Sequence, residues 1–311
     1  MELLLQVGIF VLGIVALLWS SDKFVSAAER IGLSWGISPF IIGVTIVAFG
    51  TSLPELATSI AAVIGNESDI VIGNIVGSNI TNIALVLGLT AVAVRTIELE
   101  YNLWHIDVPF LMFSAFFLYF IVSDGRVSIF EAVLCIGGIA TFLAYSFKDQ
   151  ERANQEDRPS SKPIDFIWLV VGGALVSFSS TYIIDSISQI ATTLNIAPNI
   201  IALTAVALGT SLPEVAVSLN AARRGKAGIA VGNALGSNIF NTFVVIAIPR
   251  FFGNLEIPSN ILHFYLPLMI VMTILFGVMA NNRKITRWEG CALLIFYVWY
   301  LGQIIESATS G

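Results

Sequence analysis

The chain has 311 residues, 56% of them hydrophobic and only 12% charged, with a mean hydropathy of +0.87. A soluble domain carries about a quarter of its residues as charged side chains, so this composition excludes one and points to an integral membrane protein. The formal net charge of −6 and the lack of a basic tract give no reason to expect nucleic acid as a partner.

Each bilayer crossing takes about 20 apolar residues. Ten such runs are read, at roughly 4–28, 38–64, 70–94, 103–122, 127–147, 164–188, 198–222, 228–249, 260–280 and 287–306. Strand-like alternation is missing, so the spans are helices and the fold class is all-α. Met1-Glu2 is acidic where a signal peptide is basic, and no A-x-A site follows, so the first helix is expected to be retained. It carries Asp22-Lys23 and then Glu29-Arg30, read as side chains that snorkel to the interface or pair locally.

Spans two and three hold the first copy of a motif, and spans four and five read as plain apolar helices without interior charge. A polar stretch from Lys148 to Lys162 follows, a solvated linker too short for a regulatory domain. Spans six to ten repeat the plan. Asp185, in span six, aligns with Ser26 of the first half and is left outside the duplicated set. Cys135 and Cys291 stand alone in spans and read as packing residues; His105 and His263 read as interfacial. Without a CxxC or a His/Cys cluster, no cofactor, redox centre or enzyme activity is expected.

The motif is Gly50-Thr51-Ser52-Leu53-Pro54-Glu55, repeated letter for letter as Gly209-Thr210-Ser211-Leu212-Pro213-Glu214. A shift of 159 aligns 39–82 with 198–241 without a gap, and about half the positions are identical. Gly73-Asn74 matches Gly232-Asn233, and Gly77-Ser78-Asn79-Ile80-x-Asn82 matches Gly236-Ser237-Asn238-Ile239-x-Asn241. Apolar composition alone does not keep polar residues in register, so the chain is an internal duplication. Residues 1–147 form one five-helix repeat with motif helices 38–64 and 70–94; 148–163 is the linker. Residues 164–311 form the second repeat, with motif helices 198–222 and 228–249.

Five spans per half require the halves to lie in opposite topology. With both termini outside, the inner loops carry Arg30, Arg95, Lys148, Arg152, Arg158, Lys162, Arg223, Arg224, Lys226, Arg283, Lys284 and Arg287, and the outer loops only Arg126 and Arg250. The positive-inside rule therefore places the linker in the cytoplasm of a cell with a multi-pass protein in its plasma membrane.

A glutamate inside an apolar run costs several kcal/mol unless compensated. Glu55 and Glu214 have no nearby Lys or Arg in their spans, and the broken helices beside them suit an ion site at the bilayer centre. Ser52 and Glu55, three apart, share a helix face with Thr51, and Ser78 lies four before Asn82; Ser211, Glu214, Ser237 and Asn241 repeat the spacing. Pro54 and Pro213 lack the N–H that would bond the carbonyls of Gly50 and Gly209, so carbonyls near Ala48–Thr51 and Ala207–Thr210 are expected to be freed toward a cavity. All these groups are oxygen ligands, the set that hard cations such as Ca²⁺ and Na⁺ take. Glycines and asparagines such as Gly77, Gly236, Asn79 and Asn238 read equally well as helix packing.

GTSLPE followed by GNxxGSNIxN, once per half, resembles the alpha repeats of the sodium/calcium exchanger family, and the resemblance covers the chain in span count and topology. It implies cation ligands at the side chains of Ser52, Glu55, Ser78, Ser211, Glu214 and Ser237 and at the carbonyls of Ala48, Thr51, Ala207 and Thr210. Asn82 and Asn241 fall in the middle of the implied site. Some relatives, potassium-dependent ones among them, have aspartate at the latter, so Asn241 argues against K⁺ co-transport. The implied activity is antiport of Na⁺ against Ca²⁺ by alternating access, at three Na⁺ per Ca²⁺ and electrogenic, with the lipid bilayer and the two ions as its partners and no protein partner expected. Three other readings are weighed: a proton/calcium exchanger of the same superfamily, whose motif differs; a passive cation channel; and an intramembrane aspartyl protease, for which no pair of intramembrane aspartates is visible.

Overall fold

The computed structural model describes residues 2–99, 103–148, 160–194 and 209–309. It is mostly helical. In chain order the helices are α1 (Leu3–Ser34), α2 (Pro39–Ile64), α3 (Ile70–Val94), α4 (Asp107–Ile121), α5 (Ile129–Phe147), α6 (Pro163–Thr193), α7 (Leu212–Arg223), α8 (Ala227–Arg250), α9 (Ile261–Ala280) and α10 (Arg287–Glu306). Eight of these are long and apolar enough to cross a bilayer; α4, with 15 residues, and α7, with 12, are shorter. The first part of the expected 198–222 span, and residues 149–159 of the 148–163 linker, lie outside the described residues.

α1 is longer than its apolar run suggests, reaching Ser34, so Asp22 and Lys23 lie mid-helix. Neither pairs locally. Asp22 meets Arg224 at 3.1 Å across the fold, and the Lys23 ammonium lies 6.0 Å from the Trp168 ring. The expectation of no interior charge in the fourth span also fails: Asp107 opens α4 and is buried there. At a helix N-terminus the first N–H groups face a carboxylate, which is why the chain tolerates one at that point.

α1 and α6 pack along each other in opposite directions. A Cβ on Gly13 would lie 2.8 Å from Ile183 Cγ1, one on Gly172 would lie 3.2 Å from Phe24 Cα, and Arg30 meets Asp165 at 2.7 Å. The two glycine contacts are the same contact: adding 159 to Gly13 gives Gly172, and subtracting it from Ile183 gives Phe24. Only a residue without Cβ permits helix axes to approach so closely. The outer faces of the pair present Leu4, Leu12, Val15, Val170, Phe178 and Tyr182, the surface expected against lipid.

Four short strands form two sheets. β1 (Thr96–Glu98) pairs antiparallel with β4 (Lys284–Thr286), and β2 (Arg126–Val127) with β3 (Leu255–Glu256). Thr96 faces Thr286 and Ile97 faces Ile285; Leu255 faces Val127 and Glu256 faces Arg126. A shift of 159 carries the first sheet's register onto the second, with the halves exchanged.

α8 fills the centre, with every residue from Ile229 to Phe240 buried. It lies against the first half of α2, where a Cβ on Gly236 would collide with the Val44 carbonyl and stand 2.7 Å from Ala48 Cβ. This close approach brings the polar faces of α2 and α8 together.

Candidate cation site

α2 is broken at Ser52. Its helical segment Ala48–Thr51 ends there (φ −89°, ψ 5°), and a new segment, Leu53–Ile64, begins with Pro54 in its first turn. Ser211 repeats the geometry before α7, with φ −92° and ψ 0°. Proline cannot donate to the carbonyl four residues back, and its fixed φ suits a first turn, so each break falls just before the Leu-Pro pair. Glu55 and Glu214 thereby occupy first turns, at the positive ends of helix dipoles.

One expected carbonyl is not free. The Ala48 oxygen accepts from the Ser52 N–H at 3.0 Å, an ordinary helical bond four residues back, and lies 3.3 Å from Thr51 Oγ1. Ala207 lies outside the described residues, and Thr210 stands at the edge of those described.

The remaining expected residues converge in hydrogen bonds that cross between the halves. Thr51 Oγ1 donates to Asn233 Oδ1 at 3.0 Å and lies 3.4 Å from Ser237 Oγ. Thr210 Oγ1 donates to Asn74 Oδ1 at 3.2 Å and lies 3.1 Å from Ser78 Oγ. Asn74 and Asn233 are held in turn by Ser59 (3.2 Å) and Ser218 (2.9 Å). Asn79 Nδ2 donates to the Asn238 carbonyl at 3.4 Å, and Asn238 Nδ2 to the Asn79 carbonyl at 3.2 Å. Asn82 Nδ2 then donates to Asn238 Oδ1 (3.0 Å) and Asn241 Nδ2 to Asn79 Oδ1 (3.2 Å). The reading of Asn79 and Asn238 as packing residues holds in part, since they clamp the two halves and also fix the amides of Asn82 and Asn241.

That orientation turns Oδ1 of Asn82 and of Asn241 away from any donor. Among the described residues these two atoms have no hydrogen-bond partner, nor do both oxygens of Glu55, Oε2 of Glu214, and Ser211 Oγ. Oε1 of Glu214 has only the Ser52 hydroxyl, at 3.5 Å. Glu55, Glu214, Asn82, Asn241 and Ser52 expose nothing to solvent. Buried oxygens without donors are costly. Gathered around two carboxylates, they fit a hard cation, which accepts just such carboxylate, amide and hydroxyl oxygens. Among the described residues no group of three His, Cys, Asp or Glu side chains forms, so a soft-metal centre has no donor set there.

Three features escaped the sequence reading. Asn74 and Asn233 were visible as repeated residues, but their hold on the opposite threonine was not. Ser59 and Ser218, 159 apart, were a further duplicated pair. The helices also widen to π-type turns at Asn82–Leu87 and Asn241–Val245, each beginning at the site asparagine. Such widened turns often mark functional positions. His105 and His263 are exposed, Cys135 is buried and Cys291 half-buried.

The chain is 36% identical over 299 residues to an uncharacterized membrane protein of Methanocaldococcus jannaschii, covering 95% of this chain and 97% of the relative. It is 34% identical over 339 residues to sodium/calcium exchanger MaX1 of Methanosarcina acetivorans, covering 94% and 96%. A solved structure of the sodium-calcium exchanger NCX_Mj, soaked with Na⁺ and Sr²⁺, superposes with a TM-score of 0.84 at 34% identity, covering 96% of this chain and 99% of that one. A family model described as sodium/calcium exchanger protein matches residues 5–148 and again 164–305, one match to each half. The chain belongs to the sodium/calcium exchanger protein family.

Proposed function

We propose that this chain is a secondary antiporter that exchanges Na⁺ for Ca²⁺ across the plasma membrane by alternating access. The observation that carries the reading is the set of six buried oxygens without donors, supplied by Glu55, Glu214, Asn82, Asn241 and Ser211. Two carboxylates balance one Ca²⁺, and the neutral oxygens around them offer positions for Na⁺. The ligand set is Ser52, Glu55, Ser78, Asn82, Ser211, Glu214, Ser237 and Asn241, with backbone oxygens of Thr51, Ala207 and Thr210; the Ala48 oxygen is left out because it already holds its helical donor. The protein works as a transporter and not as an enzyme.

The architecture in this reading is ten membrane helices in two inverted repeats, 1–147 and 164–311, joined by the cytoplasmic linker 148–163, with both termini outside. The antiparallel course of α1 and α6 and the exchanged strand pairs support it. So does the gathering of Arg224, Lys226 and Arg30 at one end, paired with Asp22, Glu29 and Asp165.

Three Na⁺ per Ca²⁺ is the stoichiometry we assign. A tenfold Na⁺ gradient is worth about 1.4 kcal/mol per ion, and one net charge gains about 2.3 kcal/mol per 100 mV. Three ions with one charge moved supply roughly 6.5 kcal/mol, more than four decades of Ca²⁺ gradient; an electroneutral pair supplies about two decades. Asn241 is a neutral amide held by Asn79, so no added charge calls for K⁺. The test is ⁴⁵Ca²⁺ uptake into proteoliposomes loaded with Na⁺, with K⁺, or with a pH gradient alone. Uptake driven by Na⁺ without K⁺ is expected. Uptake driven only by the pH gradient would favour a proton/calcium exchanger, and uptake without any counter-gradient a channel.

A further inference from the structure

Beside the paired motifs lies a cavity of about 170 Å³, whose walls include Pro54, Thr58, Thr181, Asp185, Thr210 and Pro213. It lies between the two hexapeptides and the second half of α6, where Asp185 stands 22 residues beyond Pro163, about 33 Å along the helix. Asp185 is exposed and forms no ion pair with a described residue. The corresponding positions at the other end of the fold are built in the opposite way. There Ser26 takes the place of Asp185, and it accepts a hydrogen bond from Arg224, which also pairs with Asp22 at 3.1 Å. Lys226 pairs with Glu29 at 2.5 Å. Shifted back by 159, Arg224 and Lys226 become Gly65 and Glu67. One end is thus bridged by cationic side chains, and the other has a cavity with Thr58, Thr181 and Thr210 and, among the described residues, no ion pair for the carboxylate on its wall.

We propose that Asp185 is the cation-gathering carboxylate of this vestibule, raising the local concentration of Ca²⁺ and Na⁺ before they reach Glu55 and Glu214. This rests on the exchange reading above and assigns a one-sided residue to it. The internal duplication cannot supply such a residue, since the equivalent position is Ser26. A fixed negative charge at the mouth of a cleft focuses cations through its potential. A divalent ion feels that potential twice, so its enrichment is the square of the monovalent one. The Debye length shrinks from about 30 Å at 0.01 M salt to about 3 Å at 1 M, so the enrichment fades as salt rises.

The test compares D185N with wild type in right-side-out and inverted membrane vesicles, at low ionic strength held with sucrose and at high ionic strength held with choline chloride. At low salt the half-saturating concentrations on the Asp185 side are expected to rise about threefold for Na⁺ and about ninefold for Ca²⁺. Constants on the opposite side stay unchanged, the difference vanishes at high salt, and D185E restores wild-type values. Wild-type constants in D185N, an equal shift on both faces, or a shift that persists at high salt would overturn the role of Asp185. Wild-type vesicles without any Na⁺-driven Ca²⁺ flux would overturn the exchange reading itself, and this proposal with it.

Discussion

Replacing Glu55 with glutamine removes one of the two charges at the site while keeping its shape. Both carboxylate oxygens are buried and lack a donor, so in the ion-free protein the charge has little beyond the helix dipole to offset its burial. With a divalent ion about 3 Å away, at an effective dielectric constant of about 20, the Coulomb attraction lost is about 11 kcal/mol. Against it stands only the ion–dipole contact that the amide oxygen keeps, since the burial cost of the carboxylate, several kcal/mol, weighs on the empty and the filled site alike. The net loss to Ca²⁺ binding is then at least about 4 kcal/mol, or three decades in Kd. The same terms predict the opposite effect on the empty protein, where E55Q is more stable than wild type to heat. The new amide NH₂ also supplies a donor to a cavity whose orphaned atoms include the Asn82 and Asn241 carbonyl oxygens. Two measurements check this: Na⁺-driven ⁴⁵Ca²⁺ uptake, expected to be lost, and thermal midpoints with and without Ca²⁺. Near-normal uptake, or a lower midpoint in the absence of ions, would refute the charge argument.

Topology is open to cysteine labelling: with Cys135 and Cys291 replaced, an impermeant thiol reagent should reach E67C from outside and S160C from inside. Labelling of both from one side would rule out the inverted repeat. In vesicles clamped with valinomycin and K⁺, the voltage at which net Ca²⁺ flux vanishes should move with the Na⁺ gradient as three-for-one exchange requires; a null point indifferent to voltage would leave electroneutral exchange. G236A should destabilise the protein by about 1–3 kcal/mol through overpacking against Val44 and Ala48, read as a lower unfolding midpoint. An unchanged midpoint would mean that α2 and α8 separate more easily than their contact implies.

Much of this site is legible in the sequence because its loudest signals are local. A glutamate in an apolar run has no other reason to be there, and the six letters around Glu55 return around Glu214. The helix break is equally local, since proline's missing N–H acts over four residues. What could not be read is what lies across the fold. Thr51 meets Asn233 from 182 positions away and Thr210 meets Asn74 from 136, and neither interval has a spacing rule. The widened turns at Asn82 and Asn241 have no side-chain signature, because they arise from a slip in backbone hydrogen bonding. Asp22 was read against its neighbour Lys23, yet its partner is Arg224. The Ala48 carbonyl was misjudged because proline frees Gly50, two residues later, while Ala48 retains its own helical donor.

The exchanged strand pairs bear on how such a chain can arise. β1 meets β4 and β3 meets β2 in one register, so a lone half already carries both sides of each sheet. Two separate copies of an ancestral half, inserted into the membrane in opposite orientations, would close both sheets with the same hydrogen bonds. The amide clamp of Asn79 and Asn238 would form between them just as well. Gene fusion then creates no new interface. It would fix the copies at one to one and free each to diverge, and the two ends do differ, one carrying Arg224 where the other has Gly65.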